Sequence, residues 1–275
     1  MKNLYFIALF LVFNLIVSCS DTVVVENRPD EGSDAPAISG YFKKRVLIED
    51  YTGTWCGNCT RVAYAITQVE EQSDKAVVVA IHNGNDPYHF AGIAPLKNLI
   101  MPDSPLSLPI SRLNRMNVWT FPEPTNIQEA IDLTSNNTTF GIAMNSVLSN
   151  GTINLEVQMK FVDNFSNLKL VVYLLENNLI HFQRNYTEYF GGITTIPDYV
   201  HNHVLRNSIT NIVGDEISGT TNGATITKSF SIPVPANIEN ASNISFVAFV
   251  VGSDNKSLNA RAANINENQE FEINP

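Results

Sequence analysis

The sequence predicts an α/β region followed by an all-β antiparallel sandwich. The apolar runs RVLIED and AVVVAIH have the length and content of buried strands. Between them Val62, Ile66 and Val69 recur at helical spacing, which predicts a helix over residues 57–72. A strand, a helix and a second strand joined by short links form a βαβ unit, whose two strands are parallel.

The second half of the chain has a different pattern. INLEVQMKF, residues 153–161, alternates strictly between apolar and polar side chains, as expected of an antiparallel strand with one buried face. The SNG before it predicts a hairpin turn from FGIAMNSV. LKLVVYLLE, ATITKSFSIPV and NISFVAFVVG follow as further strands, so residues 139–275 are predicted to form a β-sandwich domain.

The first residues predict a lipoprotein signal peptide. MKNLYFIALFLVFNLIVSC begins with one lysine, continues with an apolar stretch short for a bilayer span, and ends in small residues. Its IVSC ending resembles a bacterial lipobox, so residues 1–18 are predicted to be removed and Cys19 to carry lipid. Residues 19–40 are rich in Asp, Glu, Pro, Ser and Gly and predict a flexible tether. The α/β domain is then expected over residues 41–138.

Charge and cysteine content limit the classes of partner and the compartment that fit this chain. The formal net charge is −10, only 16% of the residues are charged, and no basic cluster appears, which argues against nucleic acid as a partner. The chain has three cysteines. With Cys19 assigned to lipid, Cys56 and Cys59 are the only thiols of the mature protein, and they lie outside the cytosol, where disulfides persist.

Cys56 and Cys59 stand in YTGTWCGNCTRV, between the first strand and the helix. A cysteine at a helix N-terminus has a lowered pKa because unpaired N–H groups and the macrodipole favour an anion, and Arg61 adds to this. We therefore expect Cys56 to be the nucleophile, and Cys59, a turn further in, to resolve the mixed disulfide. A structural disulfide stays as the alternative. A metal site would need more ligands, because one C-x-x-C supplies half of a tetrahedral zinc site.

The histidines carry weaker hypotheses. His201 and His203, in HNH, would share one face of a strand, either as a metal pair or as a surface feature without a ligand. His82 ends a predicted strand and lies either near the cysteine pair or in a locally bonded loop. The sequence predicts neither a metal site nor a cofactor.

WCGNC after a strand resembles the W-C-x-x-C of the thioredoxin superfamily, over about residues 41–138. The resemblance implies that Asp50 is the buried acid that takes the proton from the second cysteine. It also implies that Pro109 is the cis-proline that faces the disulfide and helps to hold an extended substrate. The substrate groove would then be formed by four residues: Trp55, Gly57, Asn58 and Leu108.

Some of these assignments have rivals in the sequence. Glu49 competes with Asp50, since side chains alternate along a strand and only one of them can point under the helix. Asp50 is preferred for its spacing from Cys56. Pro102 and Pro105 are nearby loop prolines that compete with Pro109. The stretch also departs from thioredoxin in the Gly-Asn between the cysteines and in the threonine that follows them, and these positions tune the redox potential.

VLIEDYTGTWCGNC, VVVAIHNGNDP, LPISRLNR and YVHNHVLRNSI together resemble the thioredoxin-like outer-membrane lipoproteins related to the twenty-eight-kilodalton outer-membrane protein of Bacteroidetes-type bacteria. This resemblance implies a lipid-anchored protein of the cell envelope, at the outer membrane. The leading hypothesis is a thiol–disulfide oxidoreductase acting on envelope proteins with thiols or disulfides, with an accessible Cys56. The alternative is a non-enzymatic lipoprotein that binds a partner through its sandwich and keeps a buried, structural Cys56–Cys59 disulfide.

Overall fold

The computed structural model describes residues 41–274. The predicted signal peptide, the lipidated Cys19 and the tether lie outside the described residues. No helix within residues 41–274 is long and apolar enough to cross a membrane.

The described chain is built mainly from strands. Residues before 139 form β1 (Tyr41–Phe42), β2 (Val46–Thr52), α1 (Thr60–Gln72), β3 (Ala76–His82), α2 (Ala94–Ile100), β4 (Ile110–Leu113), β5 (Asn117–Val118) and α3 (Ile127–Asp132). Residues after 139 form β6 (Phe140–Ser149), β7 (Thr152–Phe161), β8 (Leu168–Glu176), β9 (Leu179–Arg184), β10 (Thr195–His201), β11 (Val204–Ser208), β12 (Asp215–Ile217), β13 (Thr225–Pro233), β14 (Ile244–Val251), β15 (Ser257–Asn264) and β16 (Ile273–Asn274). Short 3-10 helices cover Glu123–Thr125, Phe190–Gly192 and Ala241–Asn243.

One nine-stranded sheet contains strands from both halves of the chain. Its order is β15-β14-β8-β11-β3-β2-β4-β5, and β12 pairs with β8 beside this path. β2 and β3 are parallel and in register from Val46 opposite Ala76 to Thr52 opposite His82, which confirms the predicted βαβ unit. β4 is antiparallel to β2. The division of the folded part at residue 138 stays a prediction, and the sheet itself runs across it.

A second sheet, β13-β7-β6, covers the sandwich end of the large sheet. The apolar side chains of β7 that alternate in the sequence are buried against β8 and β14 in one core, where Phe161 and Phe246 are fully buried. The strands of the second half thus pair antiparallel with one another, as predicted, and one β-layer packs on another.

Helix α1 packs on the β2–β3 part of the same sheet. Val62, Ile66 and Val69 lie against apolar side chains of β2 and β3, so the predicted buried face of the helix is confirmed. The predicted start of the helix at residue 57 is wrong. Residues 56–59 form a tight turn in which Cys59 N donates to Cys56 O at 3.2 Å, and helical bonding begins with Ala63 N to Cys59 O at 3.1 Å.

Candidate functional site

Cys56 and Cys59 form a disulfide in the link between β2 and α1, with their Cα atoms 5.4 Å apart. Because α1 begins at Thr60, Cys59 is its N-cap and Cys56 lies one turn before the helix. The prediction that Cys56 occupies the helix N-terminus, with Cys59 a turn inside, is therefore wrong by about one turn. Both cysteines are buried: Cys56 is 5% exposed and Cys59 1%.

A distant part of the chain covers this cysteine turn. Residues 183–189, which we call the cover segment, leave the end of β9 and run alongside residues 53–57. Arg184 N donates to Thr54 O and Tyr186 N to Gly57 O, both at 2.8 Å. The Gln183 amide also donates to Cys56 O at 3.1 Å. The expected solvent access of Cys56 is thus not found in this state of the molecule.

Gly57 shows how closely the cover segment approaches. A Cβ atom at Gly57 would lie 2.3 Å from Cδ2 of the Tyr186 ring, so a larger residue there would displace the ring. Behind it, the Thr60 hydroxyl donates to Asn185 Oδ1 at 2.8 Å. Tyr64 of α1 stacks on Tyr189 with ring centroids 4.2 Å apart. The cover segment is therefore attached both to the turn and to the helix.

Asp50 lies on the face of β2 that carries α1, and its Oδ1 atom is buried without a hydrogen-bond partner. Burial raises the pKa of this carboxyl to about 8; the nearby Glu123 carboxylate adds to the effect and Arg61 partly offsets it. Its rival Glu49 points to the opposite face, where it forms a buried ion pair with Arg115 at 3.3 Å. Strand alternation thus separates the two acids as the sequence analysis expects.

A cavity of about 110 Å³, the Cys59 cavity, lies beside the disulfide. Asp50 from β2, His82 from β3 and Cys59 line its inner part, and Tyr199 and His201 from β10 close it. No sequence signal placed β10 here, because β10 lines the cavity together with residues of β2, β3 and α1 that are more than a hundred positions away in the sequence.

The histidines gather around this cavity. His82 Nδ1 lies 3.1 Å from the carboxylate of Asp86, and its ring is 5.3 Å from that of His201. His201 is buried, whereas His203 follows β10 with a positive φ of 58° and lies 3.4 Å from Glu70. The strand ends at His201, so the predicted pair on one strand face does not form. Within residues 41–274 no group of three or more potential ligands is arranged to hold a metal ion.

Arg61, which is expected from the sequence to lower the pKa of Cys56, is paired with Glu123. Its Nε donates to Glu123 Oε2 at 2.6 Å, and its guanidinium lies 4.6 Å from the centre of the Phe121 ring. Glu123, which is itself buried, also accepts from the Ser111 hydroxyl at 3.0 Å. Sequence reasoning missed Glu123, and its partners lie on separate elements, so no local pattern marks it.

The other predicted groove residues lie on the cysteine turn and just before the start of β4. The Leu108–Pro109 peptide bond is cis and directly precedes β4, whose Ile110 lies opposite Tyr51 of β2. Trp55 is 45% exposed, and its indole N–H donates to Asn83 O at 2.8 Å. Asn58 is exposed and Leu108 half-buried. Pro102 and Pro105 are exposed loop residues.

Comparison with known proteins identifies the family of this β-rich, disulfide-containing chain. The model of the family described as outer membrane protein Omp28 matches residues 106–269, more than half of the chain. The chain therefore belongs to the Omp28 family, which places it at the outer membrane of the cell envelope. The matched stretch begins after the cysteine turn, so family membership alone does not assign a role to Cys56 and Cys59.

Two solved structures were found to be similar. The first is HBP35 of Porphyromonas gingivalis, with a TM-score of 0.63 at 18% identity over 84% of this chain and 78% of that chain. At this identity the likeness shows the fold alone. The second is a domain of the outer membrane lipoprotein Omp28 from Porphyromonas gingivalis, with a TM-score of 0.33 at 20% identity over 48% of this chain and 92% of that chain. None of the curated proteins matches the chain.

Proposed function

We propose that this chain is a thiol–disulfide oxidoreductase of the cell envelope, in which a thioredoxin-like region at residues 41–138 carries the reaction. Its substrates are envelope proteins with thiols or disulfides. The observation that supports this proposal is Asp50, a buried carboxyl with an unpartnered oxygen that lines the same cavity as Cys59.

The burial of the Asp50 carboxyl costs folding free energy. Burying a carboxyl group without a full set of hydrogen bonds disfavours folding, and an apolar residue would be cheaper at this place. A disulfide that only holds a turn needs no acid beside it. A buried acid whose pKa is raised to about 8 is suited to accept and return a proton near neutral pH.

The reaction then runs in two balanced steps. In the reducing direction the Cys56 thiolate attacks a substrate disulfide, forms a mixed disulfide and releases the first substrate thiolate. Cys59 gives its proton to the Asp50 carboxylate and attacks Cys56 Sγ. The Cys56–Cys59 disulfide forms, the second substrate thiolate leaves, and both substrate sulfurs take up protons. Oxidation of a substrate is the same sequence reversed.

The substrate groove is proposed to lie between the cysteine turn and cis-Pro109. Trp55 and Asn58 offer exposed surface on the turn, and Leu108 lies beside Pro109. Since Cys56 is 5% exposed under the cover segment, substrate binding requires the cover segment to move from the turn. The two backbone hydrogen bonds at Thr54 and Gly57 are the contacts that a substrate strand would replace.

Lipidation of Cys19 and a tether over residues 19–40 complete the proposal. The anchor would hold the folded region at the outer membrane while the tether lets it reach proteins of the envelope.

The reduction potential of the Cys56–Cys59 pair tests this function. The full-length chain is equilibrated in dithiol redox buffers, and the free thiols are alkylated and counted, with the Cys56→Ser/Cys59→Ser double variant as the control for background alkylation. A potential between about −270 and −120 mV, the range of working disulfide catalysts, is expected. A potential below about −300 mV would identify a structural disulfide and overturn the proposal.

A second candidate function follows from the burial of both cysteines and from the family match, which covers the sandwich but not the cysteine turn. In this alternative the chain is a non-enzymatic outer-membrane protein that binds a partner through its β-sandwich. The same titration separates the two candidates, because this alternative requires the lower potential.

A further inference from the structure

We infer that the Cys59 cavity is a proton path between Asp50 and solvent, and that His201 of β10 is the positioning residue that orients Asp50 through water in this path. The inference rests on the proposed oxidoreductase function and adds a residue that lies far from the cysteine motif. It separates the route of the proton from the route of the substrate, since the cavity touches Cys59 and the groove adjoins Cys56.

The cavity has the size and lining that water requires. A buried site needs roughly 10–15 Å³ for one water and polar partners around it, and this cavity has about 110 Å³. Side chains from β2, β3, α1 and β10 supply the partners. At its outer end lie Glu70 and His203, both partly exposed and 3.4 Å apart. The cavity therefore leads from the buried acid to the surface.

Two lining residues each have a buried polar atom without a partner. These atoms are Asp50 Oδ1 and His201 Nε2. In the neutral tautomer that carries its proton on Nδ1, the unpartnered Nε2 of His201 is the accepting nitrogen. Nε2 is then a bare acceptor. A protonated Asp50 is a donor, so water can join the two groups with a consistent hydrogen-bond direction.

The surroundings of His201 and Asp50 favour a neutral, accepting imidazole and a protonated, donating carboxyl near neutral pH. Burial, and to a smaller extent the neighbouring His82, lower the pKa of His201 to about 3, so the ring stays neutral near neutral pH. Asp86 and the backbone of His181 oppose this lowering of the pKa, and the imidazole of His181 adds to it.

Asp50 is surrounded by a second set of charges. It is faced by Glu123, Arg61 and the phenol of Tyr199, whose own pKa is raised to about 12 by burial and by the Asp50 carboxylate. Arg61 is the cation that partly offsets the raised pKa of Asp50, and it is itself bound to Glu123.

The path has a defined place in the reaction. When Cys59 resolves the mixed disulfide, its proton goes to Asp50, and the substrate disulfide is the oxidant that closes the Cys56–Cys59 bond. Asp50 must lose that proton before the next cycle, and the cavity lets it leave toward Glu70 and His203. In the oxidising direction a proton enters along the same route and returns to Cys59.

The reaction of the reduced full-length chain with dithionitrobenzoate, whose released thiolate is coloured, tests the inference by stopped flow. Attack by Cys56 releases the first thiolate, and resolution by Cys59 releases the second. We expect His201→Gln to slow the second phase about tenfold, a part of what general acid–base catalysis contributes, and to shift its pH profile. The first phase is expected to keep its rate. His89→Gln, at an exposed histidine outside the cavity, is the matched control and should change neither phase.

The outcomes separate this inference from the proposed function. If the wild-type chain shows no reactive thiol, the oxidoreductase function itself fails. If both phases occur and His201→Gln changes neither the second phase nor its pH profile, the function stands and the proton path is wrong. Equal slowing of both phases would indicate a structural role for His201 and also overturn the inference.

Tyr199→Phe keeps the test decisive if His201→Gln unfolds the hairpin. It removes only the phenolic oxygen from the cavity and preserves the ring. The second phase is expected to slow and its pH profile to shift, and an unchanged second phase in a folded Tyr199→Phe chain would contradict the proton path.

Discussion

The cysteine region and the sandwich region share one sheet but bury different side chains. Around β2, β3 and β4 the interior contains charged groups from both faces of the sheet, among them Glu49, Asp50, Arg115 and Glu123. Among the described residues, β6, β7, β13, β14 and β15 bury no charged side chain, and β8 and β11 bury one ion pair, Glu176 with Arg206 at 3.3 Å. Since charge burial costs stability unless it is compensated, its concentration at one end of a sheet marks the region where chemistry is expected.

Two adjacent residues sharpen the comparison. Glu49 and Asp50 are both buried acids of β2, but Glu49 has Arg115 as a partner, and Arg115 in turn donates to the Tyr173 hydroxyl at 2.6 Å. Tyr173 belongs to β8, so this ion pair links the two halves of the sheet. Asp50 has no such partner. We interpret Glu49, which has a charged partner, as structural and Asp50, which has none, as functional. Substitution of each acid tests this distinction.

The largest effect is expected from Asp50→Asn. Because the pKa of Asp50 is about 8 in the folded chain against an ordinary 3.8, the unfolded chain ionises from about pH 4 upward while the folded chain holds its proton until about pH 8. Wild-type stability therefore falls with rising pH over this window, and the asparagine variant lacks that fall. At pH 9 the variant should be more stable by up to about 6 kcal/mol, from about 1.4 kcal/mol per pH unit.

Urea denaturation of the full-length oxidised chain at pH 4 and pH 9 measures this difference. The two proteins should be similarly stable at pH 4 and diverge at pH 9. Parallel stability curves for the wild type and Asp50→Asn would mean that Asp50 has an ordinary pKa, and the energetic argument for its function would be lost.

Glu49→Gln should act in the opposite direction. It leaves the buried Arg115 guanidinium without a charged partner, and breaking a buried ion pair on one side costs about 3–5 kcal/mol. The shift of the urea midpoint measures the loss. Asp254→Asn, which breaks an exposed pair with Lys256, is the control and should shift the midpoint far less. Equal shifts in the two variants would refute the structural role assigned to Glu49.

The same comparison shows which features the sequence can reveal. The βαβ unit, the alternating strand at residues 153–161 and the placement of Glu49 and Asp50 on opposite faces all follow from local periodicity, which depends on neighbouring residues. The cover segment and Glu123 could not be found in this way. Tyr186 meets Gly57 across more than a hundred residues of chain, and Glu123 contacts Arg61 and Ser111 from separate elements.

The continuous sheet was also missed, for a related reason. Each half of the chain has the strand pattern of its own domain, and nothing periodic signals that β11 pairs with β3. That parallel pairing brings β10 and His201 to the cysteine region. The candidate functional site therefore depends on strand pairing between residues far apart in the sequence, whereas its C-x-x-C motif is local.

The smallest expected effect concerns the cover segment. Tyr186→Ala removes the ring that lies over Gly57 but keeps the backbone hydrogen bond to it. Losing about 1 kcal/mol of contact raises the population of the open form about fivefold, so the disulfide should be reduced about fivefold faster by a water-soluble phosphine. Thiol alkylation over time gives the rate. Tyr41→Ala, at another exposed aromatic residue, is the control. If Tyr186→Ala and wild type are reduced at the same rate, the Tyr186 ring does not limit access to Cys56. The low exposure of Cys56 would then have another cause.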